Sequence, residues 1–159
     1  MIKVQEQDFD VGAELAALTR GRTDVGAVAS FIGLVRDVAG PGALSAMTLE
    51  HYPGMTERQL AQLEAQALDR WPLDRVLIIH RFGRLQPGQQ IVLCAATSAH
   101  REAAFEACAF LMDWLKTKAP FWKLEEVGDE AHWVAARQDD EDAAARWQTD
   151  RSETRENES

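Results

Sequence analysis

The sequence predicts one mixed α+β domain, on three observations. Short segments with two-residue alternation or continuous apolar runs take turns with segments whose apolar residues recur three and four positions apart. At least one pair of strands looks joined by a tight turn rather than by a helix, so the sheet structure is not purely parallel. Hydrophobic residues make up 46% of the 159 residues, enough for a core, yet no apolar run is long enough to cross a bilayer.

The elements follow in order. Residues 2–6 form a short strand. Asp10 is placed to cap a helix that runs through Leu15 and Leu18. Residues 26–35 (GAVASFIGLV) form a strand of small and β-branched residues, and Gly33 inside it marks a bulge or a close backbone approach. The Gly40-Pro41-Gly42 segment is a loop. Met47, Leu49 and His51 alternate with Thr48 and Glu50, as in a half-exposed strand. Thr56 with Gln59 resembles a capping box. It opens a helix with Leu60, Leu63, Ala67, Leu68 and Trp71 on one face, stopped by Pro72. Val76–Ile79 is a continuous apolar strand, covered on both faces. Pro87-Gly88 makes a type II turn into a second buried strand over 91–97. Ser98 is expected to cap a long helix with Phe105, Cys108, Met112 and Leu115 inward, ending before Pro120. Residues 121–123 are extended, Trp133-Val134 form a last short strand, and 139–147 form a short helix with acids in its first turn. Residues 148–159 contain no apolar side chain, so the domain is 1–147 and the remainder an acidic, disordered tail.

Charge narrows the function. The net charge of -9 argues against nonspecific binding to nucleic acid. It is unevenly spread: residues 1–123 hold 14 acids and 13 bases, whereas 124–159 hold 12 acids and four bases. The body is therefore near neutral and has room for a basic site. Two cysteines cannot build a disulfide framework, and both read as small buried hydrophobes. With no signal-like apolar segment at the start, the sequence points to a cytoplasmic, reduced protein without a membrane anchor. The four histidines show no metal-ligand spacing, so neither a metal nor a cofactor is expected.

Within the body, Lys116 and Lys123 lie among Trp114, Leu115, Phe121 and Trp122, and a lysine among aromatics is partly desolvated. His100 and Arg101 sit where a strand feeds a helix, and cations there oppose the helix dipole. A bound anion would resolve that conflict. Arg36 closes a strand beside the Gly-Pro-Gly loop. These five residues describe an anion-binding site whose reaction they leave open.

Four segments then resemble a known family: Phe31–Arg36 (FIGLVR), Thr48–Glu57 (TLEHYPGMTE), Thr97–Arg101 (TSAHR) and Leu115–Lys123 (LKTKAPFWK). They resemble, in order and spacing, the catalytic large subunit of molybdopterin synthase, and the similarity runs from residue 2 to Trp147. The resemblance implies an α/β hammerhead fold with a small added α+β subdomain. It implies a sulfurtransferase that converts cyclic pyranopterin monophosphate (precursor Z) to molybdopterin. The two sulfurs would come from the Gly-Gly thiocarboxylate of a small ubiquitin-like sulfur-carrier subunit. It further implies a homodimer within a heterotetramer. Carried onto this chain, the catalytic residues are Lys116 and Lys123. Arg36, His100, Arg101, Leu34, Val35, Leu124 and Glu125 would bind substrate, with Arg137 supplied by the neighbouring protomer. Phe31 and Met112 would contact the partner's tail. Two other readings are a noncatalytic module that docks a ubiquitin-like tail, and a stand-alone phosphoester enzyme. The first predicts that Lys116 and Lys123 are dispensable; the second lacks a nucleophile motif.

Overall fold

A computed structural model describes residues 1–37, 44–134 and 141–148. Its architecture is the mixed α+β one expected, with two four-stranded sheets. The first sheet has the order β1 (Ile2–Gln5), β4 (Leu73–Arg81), β6 (Gln90–Ser98), β2 (Ala27–Leu34). β1 is parallel to β4, and β6 is antiparallel to both β4 and β2. The second sheet has the order β5 (Gly83–Leu85), β3 (Leu44–His51), β7 (Phe121–Val127), β8 (Glu130–Val134), antiparallel throughout.

The continuous apolar runs of β4 and β6 are explained by cover on both faces. Val76, Ile78, Val92 and Cys94 meet α2 (Met55–Arg70) and α3 (Arg101–Thr117) through Leu60, Leu63, Cys108 and Leu111. The alternate residues Leu77, Ile79, Leu93 and Ala95 meet Phe9 and Leu18 on the side of α1 (Val11–Thr19). The second sheet has a smaller core of Val35, Leu44, Met47, Leu49 and Leu85.

Local chemistry sets the joints. Asp10 caps α1 as expected, its carboxylate accepting from the Ala13 N–H at 2.9 Å. The turn before β6 has Gly88 at φ +88°. The bulge falls between Gly33 and Leu34. A Cβ on Gly33 would lie 2.6 Å from Val92 Cγ1 and 3.3 Å from the Phe31 ring, so packing demands the glycine.

Two expected caps are different. α2 starts two residues earlier, with Gly54 (φ +84°) as N-cap and its N–H donating to Glu57 at 2.6 Å. Thr56 is turned inward instead, its hydroxyl donating to the Tyr52 carbonyl at 2.9 Å. Ser98 remains in β6, donating to the Pro72 carbonyl at 2.8 Å; His100 is the N-cap of α3 and makes no side-chain capping bond. Leu68 and Phe105, expected inward, are 42% and 66% exposed.

A further helix, α4, covers 141–148. Trp147 pins it: its indole N–H donates to Asp113 at 2.7 Å, its carbonyl accepts from Arg70 at 2.6 Å, and its ring meets Trp71 and Phe110 edge-on. No described helix is long and apolar enough to cross a membrane. Of the tail expected over 148–159, Gln148 belongs to α4, and 149–159 lie outside the described residues, as does Arg137.

Candidate active site

The strand directions decide which residues meet. β2 and β4 end, and β6 begins, at one end of the first sheet, because Leu34 pairs with Gln90 and His80 with Val92. α3 returns antiparallel to β6, so its last turn arrives at that same end. Lys116 is in this turn, one turn beyond buried Met112 and itself exposed. Arg36 follows β2 there, exposed, with Val35 buried beneath it and Leu34 54% exposed.

β7 brings Lys123 to the same place from the second sheet. Lys123 lies opposite Leu49 of β3 and Val134 of β8, and is half-buried. Strand alternation puts Phe121, Lys123 and Glu125 on one face and Trp122 and Leu124 on the other. Glu125 is within 3.8 Å of His132. Leu124 faces Trp133 on the outer side of the sheet, away from Lys123.

Two histidines complete this end. His80 is 7% exposed, and its ring stacks on Phe121 with centroids 3.7 Å apart and planes at 15°. A carbonyl can only accept, so His80 Nδ1–H donates to the Arg81 carbonyl at 2.8 Å. Burial pushes the His80 pKa down to about 4, helped by the positive charges of Lys123 and Lys116 and opposed by the Arg81 carbonyl. Both ammonium groups are therefore close enough for their field to act on one imidazole. His51 of β3 is 5.9 Å from Phe121 and 4.5 Å from Phe82. Its Nδ1 is 3.0 Å from the Thr56 hydroxyl, whose single proton is directed to Tyr52; His51 is thus the donor.

His100 and Arg101 are elsewhere. Both are exposed at the start of α3, and the helical rise puts Arg101 about 22 Å along the axis from Lys116. Within one chain, then, Arg36, Leu34, Val35, Lys116 and Lys123 gather at one end, and His100 and Arg101 stand at the other. Phe31 lies between, 41% exposed, on the α3 face of edge strand β2; Met112 is buried on α3. The cysteines are buried as expected, which pushes the Cys108 thiol up to about 11 and holds Cys94 well above its ordinary value.

Sequence reasoning passed over His80, His51 and Phe121. The available signal was a histidine ending an apolar run (VLIIH), where a polar ring must find a partner.

Comparison with known proteins identifies the family. Residues 4–118 match the family described as MoaE protein. The chain is 57% identical over 150 residues to the molybdopterin synthase catalytic subunit of Mesorhizobium japonicum, covering 93% of each. It is similar to the solved MoaE protein of Burkholderia ambifaria, with TM-score 0.79, 51% identity, and 92% and 97% of the two chains covered. In fold it is also similar to a chain of the protein–protein complex of subunits 1 and 2 of the molybdopterin-converting factor from Helicobacter pylori. There the TM-score is 0.71 at 20% identity, over 86% of this chain and 91% of that one. Shared sequence across nearly the whole length, with the same fold, makes the chain a member of the MoaE family, the sulfur-transferring catalytic subunits of molybdopterin synthase.

Proposed function

We propose that the chain converts cyclic pyranopterin monophosphate to molybdopterin, taking two sulfurs in turn from the C-terminal Gly-Gly thiocarboxylate of a small ubiquitin-like subunit. The observation that carries this reading is the convergence of Lys116, on the helix packed against the first sheet, and Lys123, on a strand of the second, at one end of the molecule. Thiocarboxylate and substrate phosphate are both anions, and only concentrated positive charge holds them together. Lys116, exposed at the helix end, is placed beside the thiocarboxylate. Lys123 holds substrate and moves protons, with Arg36 and Glu125 beside it. Each transfer leaves the carrier's terminus as a carboxylate. No cysteine of this chain carries sulfur, in keeping with two buried thiols whose ionisation is suppressed.

The active unit is a homodimer within a heterotetramer. His100 and Arg101 are too far from Lys116 to serve the same phosphate in one chain, so they serve the site of a neighbouring copy, as Arg137 does. Two exposed apolar surfaces suit the two contacts this assembly needs. One is β2, with Val28, Phe31, Ile32 and Leu34 against the small subunit and its tail. The other is the outer face of the second sheet, with Trp122 and Trp133 exposed around half-buried Leu124.

The test mixes the protein with thiocarboxylated small subunit and cyclic pyranopterin monophosphate and measures molybdopterin. Lys116→Ala is expected to lower the rate by at least about 100-fold, the scale of losing a positioned acid–base group. Wild-type turnover in that variant would remove Lys116 from the mechanism.

A further inference from the structure

We propose that His80 is a positioning residue of this site: its ring, stacked on Phe121, holds Lys123 in place against the end of α3 that carries Lys116. The inference rests on the reading of those two lysines as the reacting groups.

His80 belongs to β4 of the first sheet and Phe121 opens β7 of the second. Their stack therefore joins the two sheets at the point where the chain leaves α3 and enters β7. Lys116 comes five residues before Phe121 and Lys123 two residues after it. A shift of Phe121 would change the spacing of the pair, because Lys116 is carried by the first sheet's helix and Lys123 by the second sheet.

The stack is fixed from several directions. His80 is held in register between Val4 of β1 and Val92 of β6. Its Nδ1–H is tied to the Arg81 carbonyl. Arg81 is itself buried, donating to the Glu6 carbonyl at 2.9 Å and the Gln90 carbonyl at 3.0 Å. On the second sheet, His51 lies opposite Phe121 in β3, locked by Thr56. Phe121 thus has two imidazoles beside it, at 3.7 and 5.9 Å between ring centroids, each anchored through its Nδ1. The positive charges of Lys123 and Lys116 add to burial in holding His80 uncharged, so the stack adds no third cation to the pair.

Three single variants and one double variant separate this role from plain core packing. His80→Phe keeps a flat ring on Phe121; His80→Leu removes the ring at similar bulk; Phe121→Leu removes the other half. In the molybdopterin assay with thiocarboxylated small subunit, His80→Leu is expected to lose about tenfold in kcat while KM for the pyranopterin changes by less than about twofold, the pattern of misplaced catalytic groups. His80→Phe should restore most of that kcat. The His80→Leu/Phe121→Leu double variant should be no slower than either single one, because both remove one stack. Wild-type kcat in His80→Leu, or equal losses in His80→Leu and His80→Phe with matched near-ultraviolet circular dichroism, would overturn the proposal.

A second readout does not need turnover. Disuccinimidyl tartrate should cross-link Lys116 to Lys123 within the chain, with lower yield in His80→Leu than in the wild type or His80→Phe. Equal yields in all three reject the positioning role, even if the wild type proves inactive. An inactive wild type with the expected yields would instead defeat the sulfur-transfer reading alone.

Discussion

A buried imidazole makes the stability of this protein depend on pH in a defined direction. An unfolded histidine takes a proton near pH 6.5, whereas His80 in the folded chain waits until about pH 4. Between those values the unfolded state binds a proton that the native state refuses. The contribution of His80 to stability is therefore flat above this window and falls as pH is lowered through it, by at most about 3 kcal/mol. The wild type's denaturation midpoint should drop between neutral pH and about pH 4 more steeply than that of His80→Phe. Every other ionisable group is common to both proteins, so the difference between the two curves isolates position 80. Identical slopes would show that His80 is not buried neutral. This residue also shows where sequence reading stopped. The basic and aromatic residues of LKTKAPFWK were legible as a site because their types are unusual together. His80 lies in a different strand, and its link to Phe121 exists only through the packing of two sheets.

At the scale of elements, periodicity located the helices and the longer strands, because each buries a face whose repeat is written in the chain, but it missed the three-residue β5 and cut β7 and β8 short. Caps and helix rims were less legible. Thr56-x-x-Gln59 has the composition of a capping box, yet Gly54 can adopt a positive φ and starts the helix first. Phe105 shares its spacing with Cys108 and Met112, but β2 is the edge of its sheet and no described residue buries that ring. The start of α3 has a control of its own. A Cβ on Gly26 would lie 2.2 Å from the Ala99 carbonyl oxygen, a backbone atom that cannot swing aside. Gly26→Ala must therefore push apart the entry to β2 and the turn that presents His100 and Arg101. Overpacking of this kind costs about 2 kcal/mol, readable as a lower urea midpoint. Because the turn moves, substrate KM should rise while Lys116 and Lys123, at the far end of α3, keep their geometry. A loss of kcat with unchanged KM would contradict that division.

On the scale of the whole molecule, the sequence assembled five basic residues into one pocket, and the topology separates them into two. Order along the chain carries no information about which end of a helix faces which reactant. A 17-residue helix between His100 and Lys118 is a rigid spacer, so bending does not bring Arg101 to Lys116. Symmetry offers a way out: in a two-fold dimer, one copy's Arg101 end can meet the other's lysine end. That arrangement predicts complementation. Lys116→Ala and Arg101→Ala homodimers should each be nearly inactive. In a mixed dimer, one site combines both defects and the other is whole, with its lysines from the Arg101→Ala copy and its Arg101 from the Lys116→Ala copy. Random re-assortment of equal amounts makes half the dimers mixed, so the mixture should recover about a quarter of wild-type molybdopterin synthesis. If Arg101 acted on the lysines of its own chain, each mixed dimer would carry two sites with one defect apiece, and mixing would restore nothing.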